Sequence, residues 1–496
     1  MQGPESIPEP IPGMPFPATP EPPAATPGSP ASPRQPPPRT SRTSRTLWRN
    51  RDFLLLWSGQ TVSEMGSAVT QLALPLTAVV VLRASTLQVG LLTAASSLAF
   101  ALIALPAGAL VDRWAKRPLM IWCDAARLVI IGSVPLAAVW HVLTLGQLYA
   151  VAILAGVCTV FFDVSYQSFL PAVVSREDLV DGNGKLGASQ SFAQLIGPGL
   201  GGGLVGLVGA AKAMTADAIS YAVSVASLLA IRVPEAAPER PADGHPPLRT
   251  EIAEGLVFVF RHPILRKIVA CTATANLFGA MASALSIIFL VRGLHVRPAD
   301  TGLLIALSSL GGVAGGVLSG RLSRRIGSAR IIWFSVLVIT LPSLLIPLAE
   351  PGWSVIAFPV GLAFFLFGGV VYNVAQVSYR QAICPPRLLG RMNAAVRWVV
   401  WGTLPVGGAL GGVLGTVFGV RPTLWIAYAG TWLAGWWVFF SPLRRMRDIP
   451  PAPEDQQSRP DPKDPQTSED QRAPGRGVPG HGGGEPPDGA GAQFGD

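Results

Sequence analysis

The 496-residue chain is 49% hydrophobic and only 14% charged, with a formal net charge of +9 and a mean hydropathy of +0.42. A soluble domain is about a quarter charged, so this composition excludes an ordinary water-soluble fold and points to a membrane protein. The positive excess is no nucleic-acid footprint, because the basic residues sit in short clusters between apolar runs.

In chain order, residues 1–46 are dense in Pro, Ser and Thr without the apolar core of a signal peptide, so a disordered tail is expected. Twelve apolar runs follow, at approximately 53–82, 86–111, 118–140, 145–170, 183–209, 212–231, 264–291, 299–320, 330–349, 353–380, 393–419 and 422–441. Each approaches the roughly 20 residues that a spanning helix needs. Helix is expected throughout, since lipid satisfies no backbone polar group and barrel strands would alternate every second residue. A linker, 232–262, separates the sixth run from the seventh, and a disordered, Pro/Gly-rich acidic tail, 447–496, ends the chain.

Arginine and lysine fix the orientation. Arg45, Arg49 and Arg51 precede helix 1, Arg113, Lys116 and Arg117 follow helix 2, and Arg176 and Lys185 follow helix 4. Arg261, Arg266 and Lys267 flank the start of helix 7, and further clusters follow helices 8, 10 and 12. The alternate loops hold few positives, so these clusters, the linker and both termini are expected to be cytoplasmic.

Candidates for bond-making chemistry are sparse. The four cysteines have no metal-like spacing, the histidines are scattered singly, and neither a GxxxxGK[ST] phosphate loop nor HExxH occurs. No enzyme, cofactor, metal site or nucleic-acid partner is expected. What stands out is duplication: a shift of 212 positions carries Gly90 onto Gly302 and Gly108 onto Gly320, and a shift of 210 carries Asn183 onto Asn393 and Leu200 onto Leu410. Each six-helix unit starts and ends on one side, so two parallel bundles, 47–231 and 263–446, related by an axis along the membrane normal, are expected.

Twelve helices in two parallel sixes, with Gly108, Asp112, Arg113, Lys116 and Arg117 between helices 2 and 3, resemble the major facilitator superfamily and its loop signature G-x-x-x-D-R-x-x-R-R. "LWSGQTVSEMGSAVTQLALP", "FFDVSYQSFLPAVV" and "IGPGLGGGL" resemble its bacterial enterobactin-exporter and macrolide-efflux branch. Lys116 stands where the signature has Arg, Arg324 stands for Asp in the second copy, and Ser67 occupies a place where that branch often has Asp.

The resemblance implies a conformational latch, in which Asp112 faces the amino end of helix 11 near Arg391 and Lys116 pairs with Asp163 at the inner end of helix 4. The alternative is a basic loop serving topology alone. Gly197, Pro198, Gly201 and Gly202 in helix 5 allow close packing, a kink, or both. The resemblance adds a seal between the halves and favours export.

Glu64 falls near mid-depth of helix 1 on a polar stripe with Gln60, Ser67 and Gln71. Asp217 is placed near the outer end of helix 6, which leaves Glu64 as the candidate proton carrier. The competing reading pairs it permanently with a base or with Asn276. Asp124 and Arg127, at i and i+3, read as a structural pair. Asn373, Gln376, Arg397 and Trp401 are further cavity candidates, unless the tryptophans face lipid. The expectation is therefore a monomeric, proton-coupled exporter of a bulky or amphiphilic small molecule (a drug, siderophore or natural product) in a bacterial plasma membrane. The alternative is a lipid flippase or a non-transporting receptor on the same scaffold.

Overall fold

The computed structural model describes residues 47–111, 113–175, 178–233, 248–384 and 386–448. The tail 1–46 and all but the first two residues of 447–496 lie outside the described residues, as does Asp112. Among the described residues the chain forms helices and turns without a strand.

The first half consists of α1 (Arg51–Leu76), α2 (Thr86–Val111), α3 (Lys116–Val139), α4 (Leu145–Val173), α5 (Leu179–Val208) and α6 (Thr215–Ala230). The second half consists of α7 (Leu265–Ile288), α8 (Pro298–Ile326), α9 (Arg330–Leu348), α10 (Ala357–Ile383), α11 (Pro386–Val417) and α12 (Val420–Phe439). Eleven crossings are long and apolar enough to traverse a bilayer. The twelfth, α12, is diluted by Arg421, Thr423 and several glycines and aromatics, yet it buries Leu424, Ala427, Tyr428 and Ala434 against its neighbours. The expected twelve-helix, all-α membrane architecture is the one observed.

Three details differ from the expected boundaries. α9 is α-helical only over Arg330–Phe334, then passes through a π turn into a 3-10 segment, Leu341–Leu348, because Pro342 and Pro347 withdraw backbone donors. α8 and α11 extend past the apolar runs, the former carrying Arg324 and Arg325 in its last turn. The linker contains a 14-residue helix, Leu248–Arg261.

The duplication extends to the backbone itself. α1 and α7 both end in π turns, Thr77–Val81 and Phe289–Gly293, and Arg83 and His295 just beyond them both take positive φ, 51° and 56°. Gly209 and Gly419 likewise break α5 from α6 and α11 from α12 at φ 87° and 89°, a region open to glycine without steric cost.

Leu47 and Asp448 lie on one face, called here the terminal face. Within the first half, Asn50 Nδ2 donates to Val173 O (3.0 Å), and Arg117 donates to Leu228 O and Leu229 O (both 2.9 Å). Within the second, Ala329 N donates to Arg447 O (3.0 Å). Toward the opposite, far face a single apolar core runs through both halves, with Leu72, Val89 and Met214 continuous with Met281, Leu285 and Leu424. Toward the terminal face this core divides. Leu56, Met120 and Phe169 belong to one cluster, Ile268, Ile332 and Val438 to another, and Val259 of the linker helix joins Leu265, Met392 and Val396 in a third.

Candidate functional site

Two glycine seams join the halves. Between α2 and α11, a Cβ added to Gly90 would lie 2.4 Å from the Cα of Gly412. Between α5 and α8, a Cβ on Gly302 would lie 2.2 Å from Pro198 O and one on Gly202 would lie 2.8 Å from the Cα of Gly302. The absence of side chains lets backbones touch. The two seams are duplicates of each other, since the shifts of 212 and 210 carry Gly90 onto Gly302 and Gly202 onto Gly412. Gly197 and Gly201 use the other side of α5, where their Cβ atoms would meet Ala68 Cβ at 2.2 Å and Val69 Cα at 3.3 Å. The helix-5 motif thus packs within its own half and across to the other.

At the far face Arg292 reaches across from the end of α7 to donate to Val79 O (3.1 Å) and Ala84 O (2.8 Å) in the first half. Toward the terminal face the α2–α11 seam includes the rings of Phe100 and Trp401, 5.2 Å apart. Beyond them, a Cβ on Gly184, Gly187, Gly316 or Gly390 would meet nothing within 4 Å. Together with the divided core, this leaves the halves joined at the far face and separated into distinct clusters toward the terminal face; the space between them there is called the cavity below.

The first half supplies the charges. Asp124 and Arg127 form a buried ion pair. Ser224 Oγ donates to Asp124 Oδ2 (2.5 Å), and the guanidinium lies between the rings of Phe162 and Tyr221, 4.5 Å from each centroid. Tyr221 OH in turn shares a hydrogen bond with Ser67 Oγ (2.9 Å), which joins α1 to α6. Asp217 is buried with Ser220 Oγ donating to it at 3.2 Å. The helices carrying these residues approach closely at Gly66, whose Cβ would collide with Ser220 Oγ at 2.2 Å.

Glu64 accepts a hydrogen bond from Gln60 Nε2 (3.0 Å). Gln60 Oε1 and Tyr166 OH are buried without a hydrogen-bond partner among the described residues, and buried polar atoms of that kind mark places where a ligand or water belongs. Asp163 requires a correction. α4 runs on to Val173, so Asp163 stands ten residues, about 15 Å, from the terminal end of its helix rather than at that end. The groups acting on it electrostatically are Arg127, Glu64 and, across the cavity, Arg397. The expected Lys116–Asp163 pair is absent among the described residues, and Glu64 is not the sole acid at mid-depth. Tyr166, which the sequence reading missed, follows Asp163 at i+3 and therefore shares its face.

The second half supplies amides and rings. Asn276 Nδ2 donates to Val400 O on α11 (3.2 Å) instead of meeting Glu64. Gln376 Nε2 donates to Asn373 Oδ1 (3.0 Å), and the exposed Arg397 stacks over Trp401 at 4.4 Å. Gln71 is exposed near the far end of α1. Of the latch residues, Asp112 and the surroundings of Gly108 lie outside the described residues, Arg113 is exposed, Lys116 begins α3, and Arg117 satisfies carbonyls at the end of α6. Arg391, expected near the latch, pairs with Glu254 of the linker helix. Gly255 allows that helix to approach, since its Cβ would lie 2.4 Å from Arg391 O.

The Major Facilitator Superfamily description matches residues 56–404. The multidrug efflux pump Tap of Mycolicibacterium fortuitum is 26% identical over 411 residues, 81% of this chain and 98% of that protein. The enterobactin exporter EntS of Citrobacter koseri is 24% identical over 376 residues, 75% of this chain and 87% of that one. Among solved structures, a bacterial homologue of the iron transporter ferroportin in its inward-facing state matches at TM-score 0.64, with 16% identity, over 79% of this chain and 98% of that chain. The same homologue in its outward-facing state matches at 0.54 over 78% and 98%.

Proposed function

Because the chain belongs to the Major Facilitator Superfamily and is a multi-pass membrane transporter, we propose that it is a proton-coupled exporter of bulky or amphiphilic organic molecules in a bacterial plasma membrane. The observation that carries the reading is the composition of the cavity. Glu64 and Asp163 lie near each other and near the unpartnered Gln60 Oε1 and Tyr166 OH, and the rings of Phe100 and Trp401 pack on the neighbouring α2–α11 seam. Such a surface suits a solute with much apolar area and few charges. Tap and EntS, an efflux pump and an exporter by name, support the direction.

The terminal face is taken as cytoplasmic, on the basic clusters at that face and on the higher similarity to an inward-facing than to an outward-facing neighbour. Substrate then enters from the cytoplasm and rests against the Gln60–Glu64 pair. Breaking the Arg292 bonds and the two glycine seams opens the far face. A proton arriving from outside neutralises Glu64, weakens its hold on the solute, and is released inward after the cavity reopens to the terminal side. Proteoliposomes with an imposed pH gradient test this. Accumulation of an amphiphilic dye against its gradient, abolished by a protonophore, is expected. Equal accumulation with and without the gradient overturns the coupling.

A further inference from the structure

On the side of α1 away from the cavity the structure carries a second recess. Arg49, Arg51, Leu54, Leu55, Trp57 and Ser58 line a groove of about 340 Å³ at the terminal face. At about 100° per residue, Arg51, Leu54, Leu55 and Ser58 fall roughly opposite Gln60 and Glu64, while Trp57, seven residues before Glu64, turns toward their side, so the arginine and leucine face of the groove lies away from the substrate path. The exposed Val62 extends the same side toward the bilayer interior.

The chemistry of the groove is ordered along the membrane normal. Two arginines stand at its water end, neither with an ion-pair partner among the described residues. The nearby carboxylate, Asp52, is occupied by Arg232 N (3.1 Å), and Asp181 is occupied by Lys185 (2.6 Å). The leucines form the apolar floor. Below the leucines sits Trp57, held edge-on by Trp48 at 5.2 Å, its indole N–H buried. Paired positive charge at the rim and a leucine floor continuous with the hydrocarbon match a phosphodiester joined to an acyl chain.

We propose that this groove binds an anionic phospholipid of the terminal leaflet, its phosphate and headgroup against Arg49 and Arg51 and the start of one chain over Leu54 and Leu55. The occupant is a lipid rather than a free anion, because the floor would be left to water by phosphate alone. The site is independent of the proposed export reaction.

Native mass spectrometry of the full chain, released from bilayers of equal phosphatidylglycerol and phosphatidylcholine, tests the proposal. One arginine near an anionic surface is worth about a fivefold preference, so two should enrich retained phosphatidylglycerol by roughly 25-fold. Arg49→Gln with Arg51→Gln should bring the two lipids near parity, while Arg421→Gln at the far face should leave the preference intact. Since rim arginines also guide insertion, Leu55→Trp gives a second variant that fills the floor and keeps every charge, and it too should release the lipid. Equal retention of both lipids by the wild type, or undiminished preference in the groove variants, overturns the proposal. Retention that appears only after truncation behind Asp448 assigns the groove to the acidic tail and overturns it as well.

Discussion

The two halves are copies of one unit, yet only the first keeps acids deep within its helices, while the second keeps the arginines Arg380 and Arg397. Glu64, Asp124, Arg127, Asp163 and Asp217 lie on α1, α3, α4 and α6, whereas between residues 263 and 446 the acids are Asp300 and Glu350, near the far ends of their helices. At the position equivalent to Glu64, 212 residues on, stands Asn276, bound to the backbone of α11. Ionised groups at depth are costly and persist where they are paired or used. In the proposed export cycle the first half responds to protons, while the second supplies shape, amides and the far gate.

The largest expected effect breaks that comparison at its acid. Glu64→Gln keeps volume and hydrogen bonding but cannot change charge, so uphill export driven by a pH gradient should stop while downhill exchange persists. Full uphill transport by this variant would move the proton to Asp163, and loss of both modes would make Glu64 a substrate ligand. Next in size is the buried pair. Arg127→Met strands Asp124 and should destabilise the first half by about 3–5 kcal/mol, whereas Arg127→Met combined with Asp124→Leu should recover most of it. Thermal unfolding in detergent reads both, and equal losses for the single and double variants would show that the aromatic sandwich of Phe162 and Tyr221, rather than the ion pair, is what matters.

Arg292→Ala acts on the second half and leaves the first half's charges untouched. It removes two charge-assisted hydrogen bonds across the far face, each worth about 1.5–3 kcal/mol, so the population should shift toward far-face opening. Spin labels on either side of that face would report the longer distance. An unchanged distribution would leave the glycine seams alone responsible for the seal.

The repeat and the glycine motif were legible in the sequence because each is a matter of residue identity and spacing. Geometry that depends on where a helix ends was not legible. Asp163 was placed at a helix end because the apolar run fades near 170, but the helix continues to Val173. The α-to-3-10 break in α9 needed Pro342 and Pro347 to be weighed against a very apolar run. The linker helix was missed because its Pro-rich surroundings dominate the composition, although Gly255 and Val259, four apart, sit on the face it lays on α11 and α7. The Asp124–Arg127 pair was legible, but not its contacts with Phe162, Tyr221 and Ser224, made across two other helices that no local pattern encodes.

The smallest effect sharpens the comparison at one pair of equivalent atoms. Asn50 Oδ1 accepts from Asp52 N and Phe53 N at the start of α1, both at 3.1 Å. At the matching position 212 residues on, His262 Nδ1 accepts from Ile264 N (3.3 Å) and Leu265 N (3.2 Å) at the start of α7. The same cap is built twice, once from an amide that cannot titrate and once from an imidazole that can. Nδ1 accepts only while the ring is neutral, and desolvation holds the His262 pKa below its ordinary value of 6.5. A group lowered on folding stabilises fully above its unfolded pKa and loses that contribution as pH falls through the folded one. The cap, worth about 1 kcal/mol, should therefore be intact at neutral pH and fade in mildly acidic buffer. His262→Asn, which copies Asn50, should match the wild type at neutral pH and exceed it by roughly a degree or two in melting temperature at lower pH. Parallel melting curves for the two proteins across that range would mean that the ring is held by its contact with Phe258 and that the second cap is as indifferent to protons as the first.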